Sequence, residues 1–155
     1  MSTNDLYQEV VLDHYRSPRN FGRPEPADRV RTAEGHNPLC GDQVTMHVAL
    51  ADGRVADVRF EGAGCAISVA SASLLTEAVK GKSLDEARAL FDRMLAMLTG
   101  DDAVDTAALG KLAVFSGVRD YPVRVKCATL AWHTFRAALE ERDDPVSTEA
   151  DVASD

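Results

Sequence analysis

Apolar residues recur at helical spacing near the start of the chain. They predict a short amphipathic helix over residues 5–15, whose apolar and aromatic positions are Leu6, Tyr7, Val10, Val11, His14 and Tyr15. Asn4 or Asp5 is placed to cap this helix. Ser17-Pro18 then ends it, because proline cannot continue a helix. Residues 21–28 contain two prolines and predict an extended linker.

Strict alternation of apolar and polar residues follows, and it predicts an antiparallel hairpin. The first strand alternates at Val44, Met46, Val48 and Leu50. Asp52-Gly53 provides the residues that a tight turn needs. On the return strand the apolar positions are Ala56, Val58 and Phe60. Residues 29–35 are a weaker strand candidate, so we expect an antiparallel sheet of two or three strands.

Beyond Gly62-Ala63-Gly64 the apolar spacing changes from that of a strand to that of a helix. A first helix is indicated by Ile67, Ala70, Leu74, Ala78 and Val79, and Lys80-Gly81 ends it. Ser83 and Glu86 form a capping box for a second helix, with its stripe at Leu84, Ala87, Phe91, Met94, Leu95 and Leu98. Residues 103–116 predict either a short helix or an irregular segment that covers the core. Pro122 opens a last helix, with its stripe at Val123, Cys127, Leu130, Ala131, Thr134 and Ala138.

Taken together, the elements predict an α+β fold in which a small antiparallel sheet packs against several helices. The length of 155 residues suits one domain, which we place at residues 1–142. The net charge is −8, and residues 140–155 account for −6 of it, with seven acidic side chains and one arginine. Residues 143–155 form an acidic tail without an apolar face to bury, and we predict that this tail is disordered.

The charge distribution narrows the class of protein. Without residues 140–155 the chain is close to neutral, so no basic nucleic-acid footprint is expected. No apolar run approaches the length of a membrane span. The first residues lack the basic and apolar stretches of a signal peptide. We therefore expect a cytoplasmic protein that binds neither nucleic acid nor membrane.

Three cysteines are the main candidates for chemistry. Cys40, Cys65 and Cys127 are odd in number and far apart, which argues against a disulfide framework in a reducing compartment. They remain buried small residues, metal ligands or reactive thiols. Cys40 and Asp42 are two residues apart at the head of a strand, so both side chains can project to one face. The alternative is that Asp42 caps a turn and Cys40 has no special role.

The other two cysteines are predicted at helix starts. Cys65 falls where a strand gives way to a helix, and Cys127 falls in the first turn of the last helix. The positive end of a helix dipole favours a thiolate there. Arg124 is about 60° from Cys127 around that helix, where a guanidinium would stabilise a thiolate or an anionic sulfur. The alternative is that Cys65 and Cys127 are small core residues and that Arg124 is a solvated side chain.

Three thiolates and one carboxylate can close a tetrahedral zinc site. The candidate ligands are Cys40, Asp42, Cys65 and Cys127. Such a site would carry a charge of about −2, which the positive charges of Arg124 and Lys126 would partly offset. His36 is a possible substitute ligand beside Cys40. The single oxygen ligand is more easily displaced than sulfur, which favours exchange at the metal over a purely structural site.

Four segments occur in one order along the chain: Asn37-Pro-Leu-Cys-Gly-Asp42, Glu61-Gly-Ala-Gly-Cys-Ala-Ile-Ser68, Ser71-Ala-Ser-Leu-Leu-Thr-Glu-Ala-Val-Lys-Gly-Lys82 and Arg124-Val-Lys-Cys-Ala-Thr-Leu-Ala-Trp132. They resemble the IscU-like iron–sulfur assembly family over roughly residues 5–140, and more narrowly its SufU branch. Lys126 stands where the scaffold branch has a histidine. Tyr121-Pro-Val-Arg-Val-Lys126 stands where that branch has a Leu-Pro-Pro-Val-Lys chaperone-docking segment. The long connection over residues 88–120 is also similar to SufU proteins.

The resemblance implies an α+β fold with the metal site at one exposed end. It implies that Cys40, Asp42, Cys65 and Cys127 bind zinc, that Cys40 accepts sulfur, and that Arg124 assists nearby. The implied activity is that of a sulfurtransferase. A SufS-type, pyridoxal-phosphate-dependent cysteine desulfurase would dock, release Cys40 by taking over a zinc position, and pass persulfide sulfur to it. The sulfur would then go to a SufBCD-type iron–sulfur assembly complex.

Two alternatives to sulfur transfer remain open. The same ligands could hold a [2Fe–2S] cluster in an iron–sulfur scaffold, although Lys126 in place of histidine counts against it. The third possibility is a structural zinc adaptor that carries an acidic tail.

Overall fold

Four helices, one 3₁₀ segment and a small sheet make up the described part of the chain. The computed structural model describes residues 3–23, 30–38, 41–99, 106–118, 120–140 and 146–147. Their elements are α1 (Thr3–Arg16), β1 (Val30–Asn37), β2 (Asp42–Ala51), β3 (Arg54–Ala63), α2 (Ala66–Val79), α3 (Leu84–Leu98), a 3₁₀ segment (Thr106–Val118), α4 (Pro122–Leu139) and β4 (Val146–Ser147). The predicted α+β class is confirmed. Among these residues no helix is both long and apolar enough to cross a membrane.

The sheet has the strand order β3-β2-β1-β4. β1, β2 and β3 are antiparallel neighbours, as the alternation predicts. β4 is only two residues long and runs parallel to β1, with Val146 beside Gly35 and Ser147 beside His36. The other residues of the predicted tail, 143–145 and 148–155, lie outside the described residues, so their disorder stays a prediction.

The hairpin between β2 and β3 turns at Asp52 and Gly53, as predicted. Both have positive φ angles, 54° and 73°, which is the backbone of a tight turn whose twist matches that of the strands. The predicted apolar position at Ala56 is wrong. The pairing shifts between Ala49 and Leu50, which leaves Ala56 without a partner, so its side chain is exposed. A bulge of this kind adds one residue to a strand and cannot be seen in an alternating pattern.

The core lies between the inner face of the sheet and helices α2 and α4. Its largest fully buried side chains are Trp132, Phe60, Phe115, Phe135 and Met46. Gly35 on β1 allows α4 to pack closely, because a Cβ at that position would collide with the Thr134 hydroxyl and touch Leu130. Val123 was expected in the apolar stripe of α4, but it is 55% exposed. The first turn of α4 extends past the core, and its deep burial begins at Cys127.

Helix α1 is fixed to α2 by a buried polar contact. His14 is fully buried, and its Nδ1 lies 2.7 Å from the Ser73 hydroxyl. The backbone N–H of Arg19 donates to the same hydroxyl at 2.9 Å. Since both ends of this short network belong to the α1 region, α1 and the turn after it are held in one position on α2.

The turn after α1 also covers the outer edge of β3. The Phe60 N–H donates to the Asn20 carbonyl at 3.0 Å, and the Gly22 N–H donates to the Phe60 carbonyl at 2.8 Å. The ring of Phe21 packs edge-on against the ring of Phe60, with centroids 5.2 Å apart. The backbone groups of Phe60 that face away from β2 are therefore occupied.

Candidate metal centre

Three of the predicted site residues converge at one end of the sheet. Asp42 is the first residue of β2, Cys65 precedes α2, and Cys127 lies in α4. One ligand atom from each lies within 4.8 Å of the other two. Cys127 is the sixth residue of its helix, so it belongs to the second turn and not to the predicted first turn. The three residues are separated by 23 and 62 positions in the chain, and the fold alone brings them together.

The carboxylate of Asp42 is fixed by the residue that it faces. Its Oδ1 accepts a hydrogen bond from the Cys65 backbone N–H at 2.8 Å, and its Oδ2 lies 3.6 Å from the Cys65 Sγ. Asp42 is completely buried. Gly64 makes this approach possible, since a Cβ there would lie 2.9 Å from the Asp42 Cγ and 3.0 Å from its Cα. The glycine before Cys65 is therefore a steric requirement of the site.

The Cys65 thiol caps the N-terminus of α2. Its Sγ accepts the Ser68 backbone N–H at 3.4 Å. The pKa of Cys65 is lowered to about 7, chiefly by a hydrogen bond with Cys127 and also by the backbone N–H groups of Ser68 and Ile67. Burial and the Asp42 charge oppose this shift. A considerable fraction of this thiol is therefore ionised near neutral pH, as metal binding and nucleophilic sulfur chemistry require.

Arg124 and Tyr121 form an exposed pair at the start of α4. The Arg124 guanidinium lies 4.9 Å from the centroid of the Tyr121 ring, a cation–π contact that orients the side chain. Burial raises the pKa of Tyr7, the Arg124 charge lowers it, and Cys65 and Cys127 raise it. Tyr7, Arg124 and the two thiols therefore share one electrostatic environment.

Tyr7 is the site neighbour that sequence reasoning missed. Its ring packs edge-on against Phe115, with centroids 6.2 Å apart. In the sequence it is only one aromatic position of the first amphipathic helix. No local pattern indicates which end of the sheet that helix reaches, so its place beside the thiols follows only from the packing of α1.

The structure bears differently on the two remaining candidate ligands, Cys40 and His36. Cys40 lies outside the described residues, so its role as a ligand and sulfur acceptor stays a prediction. On either side of it, Asn37 pairs with Asp42, and the Gly41 N–H donates to the Asn37 carbonyl at 2.9 Å. His36 is exposed on β1, and the cluster found among the described residues contains Asp42, Cys65 and Cys127 without a histidine.

One separation within the cluster matches that expected around a tetrahedral zinc ion. With Zn–S near 2.3 Å and Zn–O near 2.1 Å, tetrahedral angles place a sulfur and an oxygen ligand about 3.6 Å apart. The observed separation of the Cys65 Sγ and the Asp42 Oδ2 is 3.6 Å. Thiolate-rich sets select zinc or iron–sulfur clusters and disfavour magnesium and calcium. The described residues thus provide three ligands of the kind that zinc takes.

Known proteins are similar to this chain over most of its length. The family model of the NifU-like N terminal domain matches residues 6–140. The zinc-dependent sulfurtransferase SufU of Bacillus subtilis is 37% identical over 138 residues, 89% of this chain and 92% of that protein. The iron–sulfur cluster assembly scaffold protein IscU of Streptococcus pyogenes is 39% identical over 137 residues, 88% of this chain and 84% of that protein.

A solved structure shows the same fold. The protein proposed as an iron–sulfur cluster assembly scaffold for the SUF system of Fervidobacterium islandicum superposes with a TM-score of 0.78. It is 36% identical, and the match covers 89% of this chain and 99% of that one. Sulfurtransferase and scaffold relatives are about equally similar to this chain, so identity alone does not separate the two activities.

Proposed function

The chain belongs to the NifU-like N-terminal domain family, and on that basis we propose that it accepts and carries sulfur for iron–sulfur cluster assembly. The observation that supports this most directly is the convergence of Asp42, Cys65 and Cys127 within 4.8 Å. Two thiols and a carboxylate, with Cys65 partly exposed, are suited to sulfur exchange with a docked protein. The sulfurtransferase name of the Bacillus subtilis relative agrees with this proposal.

Asp42, Cys65 and Cys127 would hold a zinc ion, with Cys40 as the fourth ligand. When bound, zinc would keep the thiols deprotonated and partly neutralise their charge. Two backbone N–H groups orient the ligands for this role. The Cys65 N–H fixes the Asp42 carboxylate at 2.8 Å, and the Ser68 N–H directs the Cys65 sulfur at 3.4 Å.

Sulfur transfer proceeds by thiolate–persulfide exchange. The Cys40 thiolate attacks the outer sulfur of a persulfide on a SufS-type cysteine desulfurase. A new S–S bond forms on Cys40 as the S–S bond of the donor breaks, and its electron pair leaves on the donor cysteine as a thiolate. The exchange consumes no external oxidant or reductant. Arg124 lies on the exposed side of the site, where its charge stabilises the anionic outer sulfur. A SufBCD-type complex would receive the sulfur.

An iron–sulfur scaffold is the second candidate, because the Streptococcus pyogenes scaffold relative is 39% identical over 137 residues. The same thiolates could ligate a [2Fe–2S] cluster. Lys126 argues against this function, since an ammonium group cannot coordinate iron as the histidine of the scaffold branch could.

The decisive experiment is mass spectrometry after incubation with the desulfurase and L-cysteine. We expect a gain of one sulfur atom on the peptide that contains Cys40, and Cys40→Ala should abolish both this gain and the stimulation of the desulfurase. Arg124→Ala should retain zinc and slow the transfer, whereas Arg88→Ala, an exposed arginine on α3, serves as the matched control. Full stimulation by Cys40→Ala would defeat the acceptor assignment.

The same samples decide between the alternatives. A stoichiometric coloured cluster after anaerobic purification, competent for transfer to an acceptor protein, would favour the scaffold. Unfolding on metal removal, without any sulfur gain, would favour a structural zinc adaptor.

A further inference from the structure

A second group of reactive side chains lies on the outer face of the sheet. Thr32 of β1, His47 of β2 and Glu61 of β3 belong to three neighbouring strands. Successive side chains of a strand point to opposite faces, and Met46 and Val48 are fully buried in the core, so His47 projects outward. The proposed sulfur transfer uses none of these three side chains.

The strand register places Thr32 and His47 directly opposite each other. They are partners in the antiparallel pair of β1 and β2. The Thr32 hydroxyl lies 3.0 Å from the His47 Nδ1, which is hydrogen-bond distance. His47 is only 9% exposed, whereas Thr32 is an exposed residue, so a small molecule can reach Thr32 from solvent.

Glu61 determines which nitrogen of the His47 ring carries the proton. Its Oε1 lies 2.9 Å from the His47 Nε2 and 3.3 Å from the Arg23 Nε. The hydrogen bond with His47 and the charge of Arg23 lower the pKa of Glu61, so near neutral pH it is a carboxylate, which only accepts hydrogen bonds. In the neutral ring the Nε2 therefore carries the hydrogen, and the Nδ1 lone pair accepts the Thr32 O–H.

The resulting order of groups is a hydroxyl, an imidazole and a carboxylate, each hydrogen-bonded to the next. This order activates a hydroxyl nucleophile in hydrolases of unrelated folds, because the imidazole takes up the proton as the oxygen attacks. We propose that Thr32 is a self-acylation site that takes an acyl group from an activated ester, with His47 as the general base and Glu61 as a positioning residue.

The reaction is a single acyl transfer. The Thr32 Oγ1 forms a bond to the carbonyl carbon of the donor, and the bond from that carbon to the leaving oxygen breaks, with its electron pair departing on that oxygen. The Thr32 proton passes to the His47 Nδ1 and from there to water. The product is a threonine ester, and the reaction needs neither an oxidant nor a reductant.

The contacts of Thr32 limit both the donor and the fate of the product. Those described at its hydroxyl supply a base but no N–H donor for the oxyanion of a tetrahedral intermediate. An acyl donor with a good leaving group depends least on such stabilisation. The threonine ester itself has a poor leaving group, so it should persist, and each chain should be acylated once.

Acetylation of the full chain by p-nitrophenyl acetate tests the site. Peptic digestion in acid preserves an ester, and fragment spectra then locate the acetyl group. We expect Thr32 to be acetylated about 10²-fold faster than Thr45, which lies on the same face of β2 as His47, because general-base assistance contributes about 10²–10⁴-fold. Neutral hydroxylamine removes acetyl groups from cysteine and leaves threonine esters intact, which separates the two products.

Conservative variants identify the groups that react. Thr32→Ser should retain acetylation at this position and Thr32→Val should abolish it, whereas the matched control Thr45→Val should leave the rate at Thr32 unchanged. His47→Gln should slow acetylation of Thr32 about 10²-fold. Equal rates at Thr32 and Thr45, acetylation confined to cysteine and lysine side chains, or an unchanged rate in His47→Gln would overturn the proposal.

The positioning role of Glu61 has a readout that does not depend on the rate. In Glu61→Gln the new amide can donate to the His47 Nε2, which moves the ring proton to Nδ1 and leaves no lone pair for Thr32. Imidazole ¹⁵N spectra should show a protonated Nε2 in the wild type and a protonated Nδ1 in this variant, together with slower acetylation. Glu34→Gln, an exposed carboxylate on the same face of the sheet, should change neither. A wild-type ring protonated at Nδ1 would overturn the assignment of His47 as the base.

Discussion

A single methyl group at Gly64 should weaken metal binding without unfolding the protein. In Gly64→Ala the new Cβ would lie 2.9 Å from the Asp42 Cγ and 3.0 Å from the Asp42 Cα. Carbon atoms in contact normally stay about 3.5–4.0 Å apart, so the Asp42 backbone and carboxylate must retreat by about 0.5–1 Å. The Asp42–Cys65 hydrogen bond of 2.8 Å stretches or breaks in response.

The displacement of Asp42 should affect both the zinc affinity and the free energy of unfolding. Loss of the group that positions a metal ligand typically weakens metal affinity about 10–100-fold. Overpacking at a tight position costs about 1–3 kcal/mol of unfolding free energy, which leaves most of the stability of a domain of this size. A 10–100-fold loss corresponds to about 1.4–2.7 kcal/mol of binding free energy, so we expect weaker zinc binding in a chain that still folds without the metal.

Zinc affinity should be measured by competition with a chromophoric chelator, and stability by urea unfolding of the metal-free protein. Gly117→Ala is the matched control, because a Cβ there meets nothing within 4 Å. Its zinc affinity should equal that of the wild type. Wild-type affinity in Gly64→Ala, together with normal folding, would refute the argument that Gly64 exists to admit the Asp42 carboxylate.

Three further outcomes follow from the described contacts. In the metal-free protein, the rate at which iodoacetamide alkylates Cys65 should rise with pH, with a midpoint near pH 7. Cys127→Ala should move that midpoint upward, because the hydrogen bond with Cys127 is the main cause of the lowered pKa of Cys65. A midpoint near pH 9 in both proteins would contradict this. Burial lowers the pKa of His14, so as the pH falls below 6.5 the unfolded chain takes up a proton before the folded chain does. The free energy of unfolding then falls by up to about 1.4 kcal/mol per pH unit. Urea unfolding of His14→Gln between pH 5 and 7 should show a weaker dependence of this free energy on pH, and an unchanged dependence would exclude His14 as its source. Ser83→Ala removes the capping box with Glu86 and should cost about 1 kcal/mol of unfolding free energy, whereas a loss below about 0.3 kcal/mol would show that the cap is dispensable.

Local signals in the sequence predict most of the fold. The turn at Asp52-Gly53, the capping box at Ser83 and the first-turn proline at Pro122 are confirmed because each depends on neighbours within a few residues. Ala56 and Val123 were misplaced for the opposite reason. Whether a strand bulges, or how far a helix extends past its core, depends on partners that are distant in the chain.

The candidate site shows the same difference between features set by neighbouring residues and features set by distant ones. The position of Cys65 at a junction between strand and helix is confirmed, since the change of period marks it. The meeting of Asp42, Cys65 and Cys127 could be suspected only from their chemistry, because no local pattern encodes a distance between separate elements. The resemblance to the IscU-like family suggested that these residues meet, and the family match over residues 6–140 confirms the resemblance itself.

The turn around Asn20 and the strand β4 have a consequence for behaviour in concentrated solution. Open strand edges are templates on which a second copy can add, the first step toward fibrils and precipitates. Here a carbonyl and an N–H from residues 20 and 22 saturate β3 at Phe60, while β4 lies along β1 at Gly35 and His36. At these positions neither flank of the antiparallel strands β1–β3 is open, and we expect these contacts to reduce the tendency of two copies of the chain to pair strand to strand.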